Sequence, residues 1–391
     1  MKYVLRDYQK YASQAAVKAF KSNKKSNGIL ILPTGSGKSL VIADIASKLK
    51  DPLLVFQPSK EILEQNFAKL QSYGTFDCGC YSASVGSKNI RRITFATIGS
   101  VMNHKDDFAA FRNILIDECH LVNSKGGQYK EFIESEDRRV VGLTATPYRL
   151  SQTADGGSML KFLTRTRPRI FSKVLYHCQI SELLSKGYLA ELKYFDLTSI
   201  NLDNVRSNST GADYDEESLR LEYERSGFYD KLTTTTFRVL RPKSGVPRKG
   251  VLVFTRFVAE AQQLVDKLSC QGIPSAIVTG ETSKREREGI LKRFKQGQIQ
   301  VVANVGTLTT GFDYPELDTV ILARPTRSLA LFYQMVGRAI RPFNGKDGWI
   351  IDLGGVYKKF GKVSDLKIEC PSNSEKWAIT SRGRQLTNVR F

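Results

Sequence analysis

The sequence predicts an α/β protein built from two tandem doubly wound domains, each with a parallel sheet. Its 391 residues are enough for two domains. Short apolar, β-branched runs alternate with segments of helical periodicity, which is typical of parallel sheets covered on both faces. Two such series are present, and the segment between them lacks the pattern.

The first series predicts five strands, at residues 28–32, 53–57, 93–98, 114–117 and 140–143. The second series predicts another five, at residues 251–255, 276–279, 301–304, 320–323 and 349–353. Helical patterns lie between them, for example at 39–49, 60–70, 258–270 and 284–294.

These elements predict a first domain over 1–150, a connecting segment over 151–240, a second domain over 241–357 and a basic tail over 358–391. The connecting segment reads as short helices, loops and an acidic insert at 201–232, where eight acids stand against four bases. This insert separates two basic bodies, and a Pro/Gly-rich basic linker at 241–250 follows it.

The composition excludes several classes of protein. Apolar residues at 41% and charged residues at 25% rule out a disordered or fibrous chain, and no apolar run is long enough for a transmembrane helix. The N-terminus lacks the apolar run of a signal peptide, so we expect a cytoplasmic protein, nucleoid-associated if bacterial or phage, without a membrane partner. The net charge of +20 favours a polyanionic partner such as nucleic acid, although a merely soluble basic surface has the same composition.

The strongest local signal is Leu-Pro-Thr-Gly-Ser-Gly-Lys-Ser at 32–39, between a predicted strand and a predicted helix. This is the setting of a phosphate-binding loop, although Leu32 stands where the strict pattern has glycine; the alternative is a glycine-rich turn. Lys38 is expected to reach the β- and γ-phosphates of ATP, and Ser39 to offer its hydroxyl to Mg²⁺. The expected nucleotide-binding residues here are Thr34, Gly35, Ser36, Gly37, Lys38 and Ser39.

A second signal is Asp117-Glu118-Cys119-His120 at the end of a buried strand. Paired carboxylates at such a place are costly unless they do chemistry, the alternative being a strand followed by an acidic turn. We expect Asp117 to hold Mg²⁺ through water and Glu118 to polarise the attacking water. Cys119 is expected to pack behind Asp117.

A third signal lies at 334–342, Gln-Met-Val-Gly-Arg-Ala-Ile-Arg-Pro. On one helix, Gln334, Gly337, Arg338 and Arg341 would share a face, so that two guanidinium groups would point into a cleft. Such groups suit phosphoryl charge because their planar fork donates two hydrogen bonds. The alternative is a solvated basic helix face.

Taken together, these motifs resemble those of a superfamily-two nucleic-acid-dependent ATPase of the DEAD/DEAH-like helicase group, here with a DECH box. The resemblance covers most of residues 5–342, with the motifs in the family's order. It implies roles for further residues. Adenine or nucleotide contacts are expected from Arg6, Gln9, Gly311 and Asp313. We expect His120, Thr144 and Thr146 to couple ATP hydrolysis to movement of the protein. Nucleic-acid contacts are expected from Pro58, Ser59, Lys60, Thr97, Ile98, Thr255, Arg256 and Thr309.

The resemblance further implies two RecA-like domains with ATP and Mg²⁺ at their interface. Glu118 and Lys38 of the first domain would act with Gln334, Arg338 and Arg341 of the second. The partner would be nucleic acid crossing both domains, with single-stranded or branched DNA favoured, bound by a monomer. An RNA-directed helicase and an ATP-gated branched-DNA clamp remain as alternatives.

A closer likeness is to the bacterial RadD type of DNA-repair ATPase, carried by residues 32–43, 143–150, 186–189 and 308–315. Proteins of that type carry a cysteine-rich zinc element after the second domain. Here the tail has only Cys370 and no histidine, so we expect no zinc. Trp377 and Phe391 of this tail are expected to fold onto the second domain.

Overall fold

The computed structural model describes residues 3–22, 27–152, 158–209, 211–243, 245, 247–248, 250–309, 314–371 and 376–389. The chain divides into two compact units. The first contains Met1–Ser151, Met159–Glu182 and Lys367–Arg390, and the second consists mainly of Leu183–Leu366. Within the described residues, none of the helices has the length and apolar character needed to cross a membrane.

The first unit is built on an eight-stranded sheet, in the order β10-β1-β7-β6-β2-β5-β3-β4. Every pairing is parallel except that of β3 with β4. The strands are β1 (Gly28–Ile31), β2 (Leu53–Phe56), β3 (Cys78–Ser82), β4 (Ser87–Lys88), β5 (Ile93–Ala96), β6 (Asn113–Ile116), β7 (Arg139–Thr144) and β10 (Lys173–His177). A separate two-stranded sheet pairs β8 (Tyr148–Gln152) with β9 (Ser158–Phe162).

Helices α1 (Asp7–Phe20), α2 (Lys38–Lys48), α3 (Lys60–Gln71), α4 (Ile98–Met102), α5 (Gln128–Glu134) and α6 (Ile180–Ser185) follow along the same part of the chain. The five predicted strands are confirmed within two residues at each end, and the largest difference is at the strand predicted over 93–98, which ends at Ala96. Thr97 is the N-cap of α4, so Ile98 is helical. Strand β6 ends at Ile116, which leaves Asp117 at the carboxyl edge of the sheet.

The second unit has a six-stranded parallel sheet, in the order β11-β16-β15-β12-β14-β13. Its strands are β11 (Leu192–Asp196), β12 (Val251–Thr255), β13 (Ser275–Val278), β14 (Val301–Val305), β15 (Thr319–Leu322) and β16 (Gly348–Asp352). Its helices are α7 (Glu216–Arg225), α8 (Phe228–Leu240), α9 (Val258–Ser269), α10 (Lys284–Lys295), α11 (Leu329–Val336) and α12 (Val356–Phe360). The predicted strands of the second series are confirmed.

Two sequence expectations about elements are wrong. The segment 151–240 was expected to contain only helices, loops and the acidic insert, yet β10 extends the first sheet and β11 extends the second. Helix α11 ends at Val336 with Gly337 as its C-cap, so Arg338 and Arg341 lie beyond the helix rather than on its face. The four apolar residues of this segment, Met335, Val336, Ala339 and Ile340, are all buried, as expected.

The tail forms a three-stranded sheet of β17 (Leu366–Glu369), β18 (Ala378–Ser381) and β19 (Arg384–Gln385). Trp377 stacks on Phe162 at a ring-centroid distance of 6.5 Å and meets His177 edge-on at 5.0 Å. These contacts lie in the first unit, so the expectation that Trp377 folds onto the second domain is wrong. Phe391 lies outside the described residues.

Candidate nucleotide and nucleic-acid sites

The glycine-rich loop joins the end of β1 to the start of α2. Gly35 has φ 82° and Gly37 has φ 80°, in the left-handed region that glycine adopts without strain. Gly37 is the N-cap of α2 and Lys38 is its first residue, so the predicted phosphate-binding residues surround a helix N-terminus. Free backbone N–H groups and the helix dipole make this a site for anions.

Two side chains of α1 hold this loop. The Gln9 amide donates to the Ser36 carbonyl at 2.8 Å, and the Tyr8 hydroxyl donates to the same oxygen at 2.6 Å. The Gln9 carbonyl accepts the Arg6 backbone N–H at 2.9 Å. A Cβ on Gly37 would lie 2.7 Å from the Gln9 side-chain nitrogen, so a larger residue here would displace the Gln9 amide. The resemblance had drawn attention to Gln9, but the support from Tyr8 was missed.

Lys38 and Glu118 form the centre of the candidate site. The Lys38 ammonium lies 3.1 Å from Glu118 Oε1, and both side chains are about five-sixths buried (15% and 16% exposed). Glu118 has left-handed backbone angles (φ 49°, ψ 49°), uncommon for a residue other than glycine. Backbone strain of this kind is concentrated at functional sites, which supports a functional role for Glu118.

His120 extends this cluster to β7. Its Nδ1 lies 3.3 Å from Glu118 Oε2, 3.0 Å from the Thr144 hydroxyl and 3.1 Å from the Thr146 hydroxyl. The Arg149 side chain donates to the His120 carbonyl at 2.8 Å. The three residues expected to couple ATP chemistry to movement are therefore in mutual contact.

The two carboxyl groups have pKa values displaced in opposite directions. Burial favours the neutral form of Glu118, but the Lys38 ammonium and the hydrogen bond to His120 outweigh it, so the pKa of Glu118 lies well below its usual range. Burial, reinforced by the Glu118 charge, raises the pKa of Asp117. A cation beside Asp117 would supply the charge that the buried pair lacks. The buried carboxyl groups of Asp117 and Glu118 are therefore compatible with Mg²⁺ at this place, and the assignment of Asp117 and Ser39 as its ligands stays a prediction.

The carboxylate of Asp117 is anchored on both oxygens. Oδ1 accepts the Glu118 backbone N–H at 2.9 Å, and Oδ2 accepts the Asn66 amide at 3.1 Å. The same Asn66 nitrogen donates to Gln57 Oε1 at 2.8 Å. Sequence reasoning missed Asn66, because a buried asparagine on an amphipathic helix carries no motif of its own. Within the described residues, no group of three or more His, Cys, Asp or Glu side chains could hold a metal.

Gln57 lines a groove of about 470 Å³ in the first unit. The expected nucleic-acid residues Pro58, Ser59, Lys60, Thr97 and Ile98 line it, together with Gln57, Ala83, Ser84, Gly99, Ser100, Asn103, Leu121 and Tyr129. Its polar wall is organised by hydrogen bonds. Thr97 Oγ1 lies 3.0 Å from both Ser82 and Ser100, and Lys60 donates to the Ser84 carbonyl at 2.7 Å.

In the second unit, Arg338 is buried at 8% exposure, and its Nε donates to the Gln334 carbonyl at 3.3 Å. Arg341 lies three residues further on, where the Lys346 ammonium donates to its carbonyl at 2.8 Å and to that of Pro315 at 3.0 Å. Gly311 and Asp313 lie outside the described residues.

The expected nucleic-acid residues of the second unit differ in exposure. Thr255 is buried and donates its hydroxyl to the Asn304 carbonyl at 3.3 Å. Thr309 is half-buried. Arg256 is engaged by acidic residues, Asp213 at 3.6 Å and Glu216 at 3.0 Å.

Comparison with known protein families agrees with this arrangement. The family described as type III restriction enzyme, res subunit, matches residues 2–149, and the helicase conserved C-terminal domain matches residues 236–342. The chain belongs to the superfamily-two helicases, a class of ATP-hydrolysing enzymes that act on nucleic acid, and the prediction of two tandem RecA-like domains is confirmed.

The chain is similar to the ATP-dependent helicase IRC3 of Saccharomyces cerevisiae (27% identical, covering 90% of this chain and 52% of that protein). It is also similar to the DNA 3'-5' translocase XPB2 of Sulfurisphaera tokodaii (26% identical, covering 90% and 82%). Among solved structures, it is similar to a fragment of a type I restriction enzyme HsdR subunit from Vibrio vulnificus (25% identical, TM-score 0.68, covering 92% and 66%). The chain thus spans about half of the IRC3 relative.

Proposed function

We propose that this protein is an ATP-driven DNA translocase or helicase. The observation that carries the proposal is the hydrogen-bonded path from Asp117 through Asn66 to Gln57, which joins the candidate magnesium ligand to the groove of the first unit. A rearrangement of Asp117 during the ATP cycle would reach that groove through two hydrogen bonds.

In this proposal the glycine-rich loop and Lys38 bind the phosphates of ATP. Arg6 and Gln9 make further contacts with the nucleotide beside this loop. Ser39 and Asp117 hold Mg²⁺, which when bound neutralises phosphate charge. Glu118 accepts a proton from the attacking water. Its depressed pKa keeps it ionised at neutral pH, and withdrawal of Lys38 toward phosphate would free one of its oxygens.

The second unit is proposed to complete the reaction. Arg338 and Arg341 would stabilise charge that develops on the γ-phosphate, and Gln334 would help to position the water. Gly311 and Asp313 are assigned to the same nucleotide because of the motif that contains them. ATP would then bind at the interface of the two domains, so that its hydrolysis would change the position of one domain relative to the other.

His120, Thr144 and Thr146 are proposed to couple hydrolysis to movement. Their contacts support this, because His120 Nδ1 is within 3.3 Å of the Glu118 carboxylate and of both threonine hydroxyls. A change in the hydrogen bonding of Glu118 would therefore alter the end of β7.

Nucleic acid is proposed to bind the groove of the first unit through Pro58, Ser59, Lys60, Thr97 and Ile98, and the second unit through Thr255, Arg256 and Thr309. Backbone contacts of this kind give affinity without sequence preference. DNA is favoured over RNA by the RadD-like segments and by the similarity to XPB2, named as a DNA translocase. A role in DNA repair or recombination is proposed because of the RadD-like segments.

The ATPase rate would test this proposal when measured without polymer and with single-stranded DNA, duplex DNA, forked DNA and RNA. We expect DNA to stimulate hydrolysis more than RNA. Equal or greater stimulation by RNA would favour an RNA-directed helicase. Tight binding of forked DNA with almost no turnover would instead favour an ATP-gated clamp.

A further inference from the structure

One carboxylate of the acidic insert lies among arginines of the second unit. Asp213 Oδ2 is 3.6 Å from Arg256 and 3.5 Å from Arg324, and Asp213 Oδ1 accepts the backbone N–H of Arg327 at 3.1 Å. Glu216 Oε1 adds a second contact to Arg256 at 3.0 Å. The Asp213 carboxylate thus bridges two guanidinium groups from separate loops of the sheet, and Glu216 supplies a second negative charge to one of them.

These arginines require an anion. The side chains of Arg256, Arg324 and Asp213 are only 17%, 16% and 18% exposed. Burial lowers the pKa of Arg324, and the neighbouring Arg256 charge lowers it further. The Arg324 Nε is buried without a hydrogen-bond partner among the described residues, so its donors are not all used by Asp213. Two partly desolvated cations side by side are unfavourable unless negative charge lies between them.

The segment that carries Asp213 is closed by its own hydrogen bonds. The Asp215 backbone N–H donates to the Arg206 carbonyl at 2.9 Å, and the Asn208 N–H donates to the Asp213 carbonyl at 2.9 Å. A bridge also joins Ser207 to Tyr214. None of these bonds involves the Asp213 carboxylate, so they do not depend on its contacts with the two arginines.

We propose that Arg256 and Arg324 form a phosphate-binding site for the backbone of nucleic acid, and that Asp213 occupies this site until nucleic acid displaces it. A phosphodiester carries the same single charge as a carboxylate and offers acceptor oxygens to the same guanidinium forks. Arg324 is a new assignment, since no motif singled it out. The inference rests on the proposed function, because nucleic acid is the polyanion that competes with Asp213.

Asp213→Asn tests the site, and Glu217→Gln is its matched control. Glu217 lies four residues away, is 81% exposed and pairs with Arg206 rather than with the two arginines. Both substitutions remove one negative charge, so a general effect of net charge would change the DNA affinity of both variants equally. In a fluorescence-anisotropy titration with labelled single-stranded DNA, we expect Asp213→Asn to bind about fivefold tighter than wild type. Glu217→Gln should change binding less than about twofold.

Arg324→Ala tests whether Arg324 is one of the residues for which Asp213 and DNA compete. Alone it should weaken DNA binding, and Asp213→Asn should tighten binding less in its presence than in the wild-type background, because only Arg256 is then left to be uncovered. If Asp213→Asn fails to fold, Glu216→Gln replaces it, because Glu216 is 62% exposed and contacts Arg256; it should also tighten binding.

Three results would overturn the proposal: Asp213→Asn behaves like Glu217→Gln, it weakens DNA binding, or it tightens DNA binding equally in the Arg324→Ala background. Tighter binding of ATP alone, followed with a fluorescent analogue, would assign the site to nucleotide and also overturn it. Failure of the wild-type chain to bind any DNA or RNA is a different result, which would refute the proposed function itself.

Discussion

The Asn66 amide donates to Asp117 Oδ2 at 3.1 Å, 51 residues away along the chain. This bond joins the middle of α3 to the carboxyl edge of the sheet, and the same nitrogen also reaches Gln57 at 2.8 Å. Because α3 begins at the groove with Ser59 as its N-cap, one buried amide connects two candidate functional regions of the first unit.

We expect Asn66→Ala to reduce stimulation of the ATPase by nucleic acid at least tenfold, while the affinities for ATP and for nucleic acid change much less. Among the described residues, the Asn66 amide donates to Asp117 and Gln57, and its loss leaves Asp117 without one of two anchoring bonds. Phosphate release with and without DNA, together with separate binding titrations, measures the difference. Gln65→Ala, an exposed position on the same helix, is the control and should match wild type. Unchanged stimulation in Asn66→Ala would refute the proposed path.

Lys38→Ala and Arg338→Ala should fail in different ways. Lys38 lies beside the phosphate-binding loop, so its loss should weaken both ATP binding and turnover. Arg338 belongs to the second unit, so its loss should leave binding largely intact but lower turnover by about 10³–10⁵, provided that chemistry limits the cycle. Nucleotide fluorescence and phosphate release distinguish the two. Near-normal turnover in Arg338→Ala would contradict the proposed two-domain site.

Binding of nucleic acid should weaken steeply with salt and depend little on sequence. Each neutralised phosphate adds about 0.9 to the log–log slope on duplex DNA and about 0.7 on single strands. Lys60→Gln, at the mouth of the groove, should lower this slope by up to about one such increment. Lys267→Gln is the control, since Lys267 pairs with Asp230 in the second unit. A flat salt dependence, or strong preference for one base sequence, would contradict backbone binding.

Glu260 should make the stability of the protein depend on pH. Burial raises the pKa of Glu260 from 4.5 to about 8, although it accepts the backbone N–H groups of Phe257 and Arg256. Because the folded state favours the protonated form, this contribution to stability is complete below pH 4.5 and is lost as pH rises toward 8.

Glu260→Gln cannot titrate, so its stability should fall less over this pH range than that of wild type. The difference between the two curves should approach a slope of about 1.4 kcal/mol per pH unit. Thermal unfolding at several pH values measures it, with Glu288→Gln as the exposed control. Parallel curves for wild type and Glu260→Gln would show that Glu260 is ionised in the folded protein.

The purified chain should contain no stoichiometric zinc. A structural zinc site needs about four Cys or His ligands, and the tail after residue 357 has Cys370 and no histidine. Elemental analysis after dialysis against a chelator measures the metal content. One zinc ion per chain that survives this treatment would contradict the prediction.

The sequence by itself was sufficient for the α/β class, the ten strands of the two predicted series and the position of Asp117 at the end of a buried strand. These features depend on local information, namely apolar periodicity and the conformational freedom of glycine in the loop at 32–39. They can therefore be predicted from the sequence without knowledge of the fold. The prediction that one helix continues to Arg341 was wrong for a local reason as well. Helix α11 ends at Val336 with Gly337 as its C-cap, after its apolar residues have been buried.

Only the tertiary structure decided which distant side chains meet. Asn66 contacts Asp117, Trp377 packs on Phe162, and Asp213 lies between Arg256 and Arg324, each across a long separation in sequence. None of these partners belongs to a periodic pattern, and hydrogen bonds and ion pairs form wherever the packing of helices on the sheets brings donors and acceptors together. Segment 201–232 reads as acidic from its composition, but its contact with arginines that would otherwise attract phosphate is a property of the folded second unit.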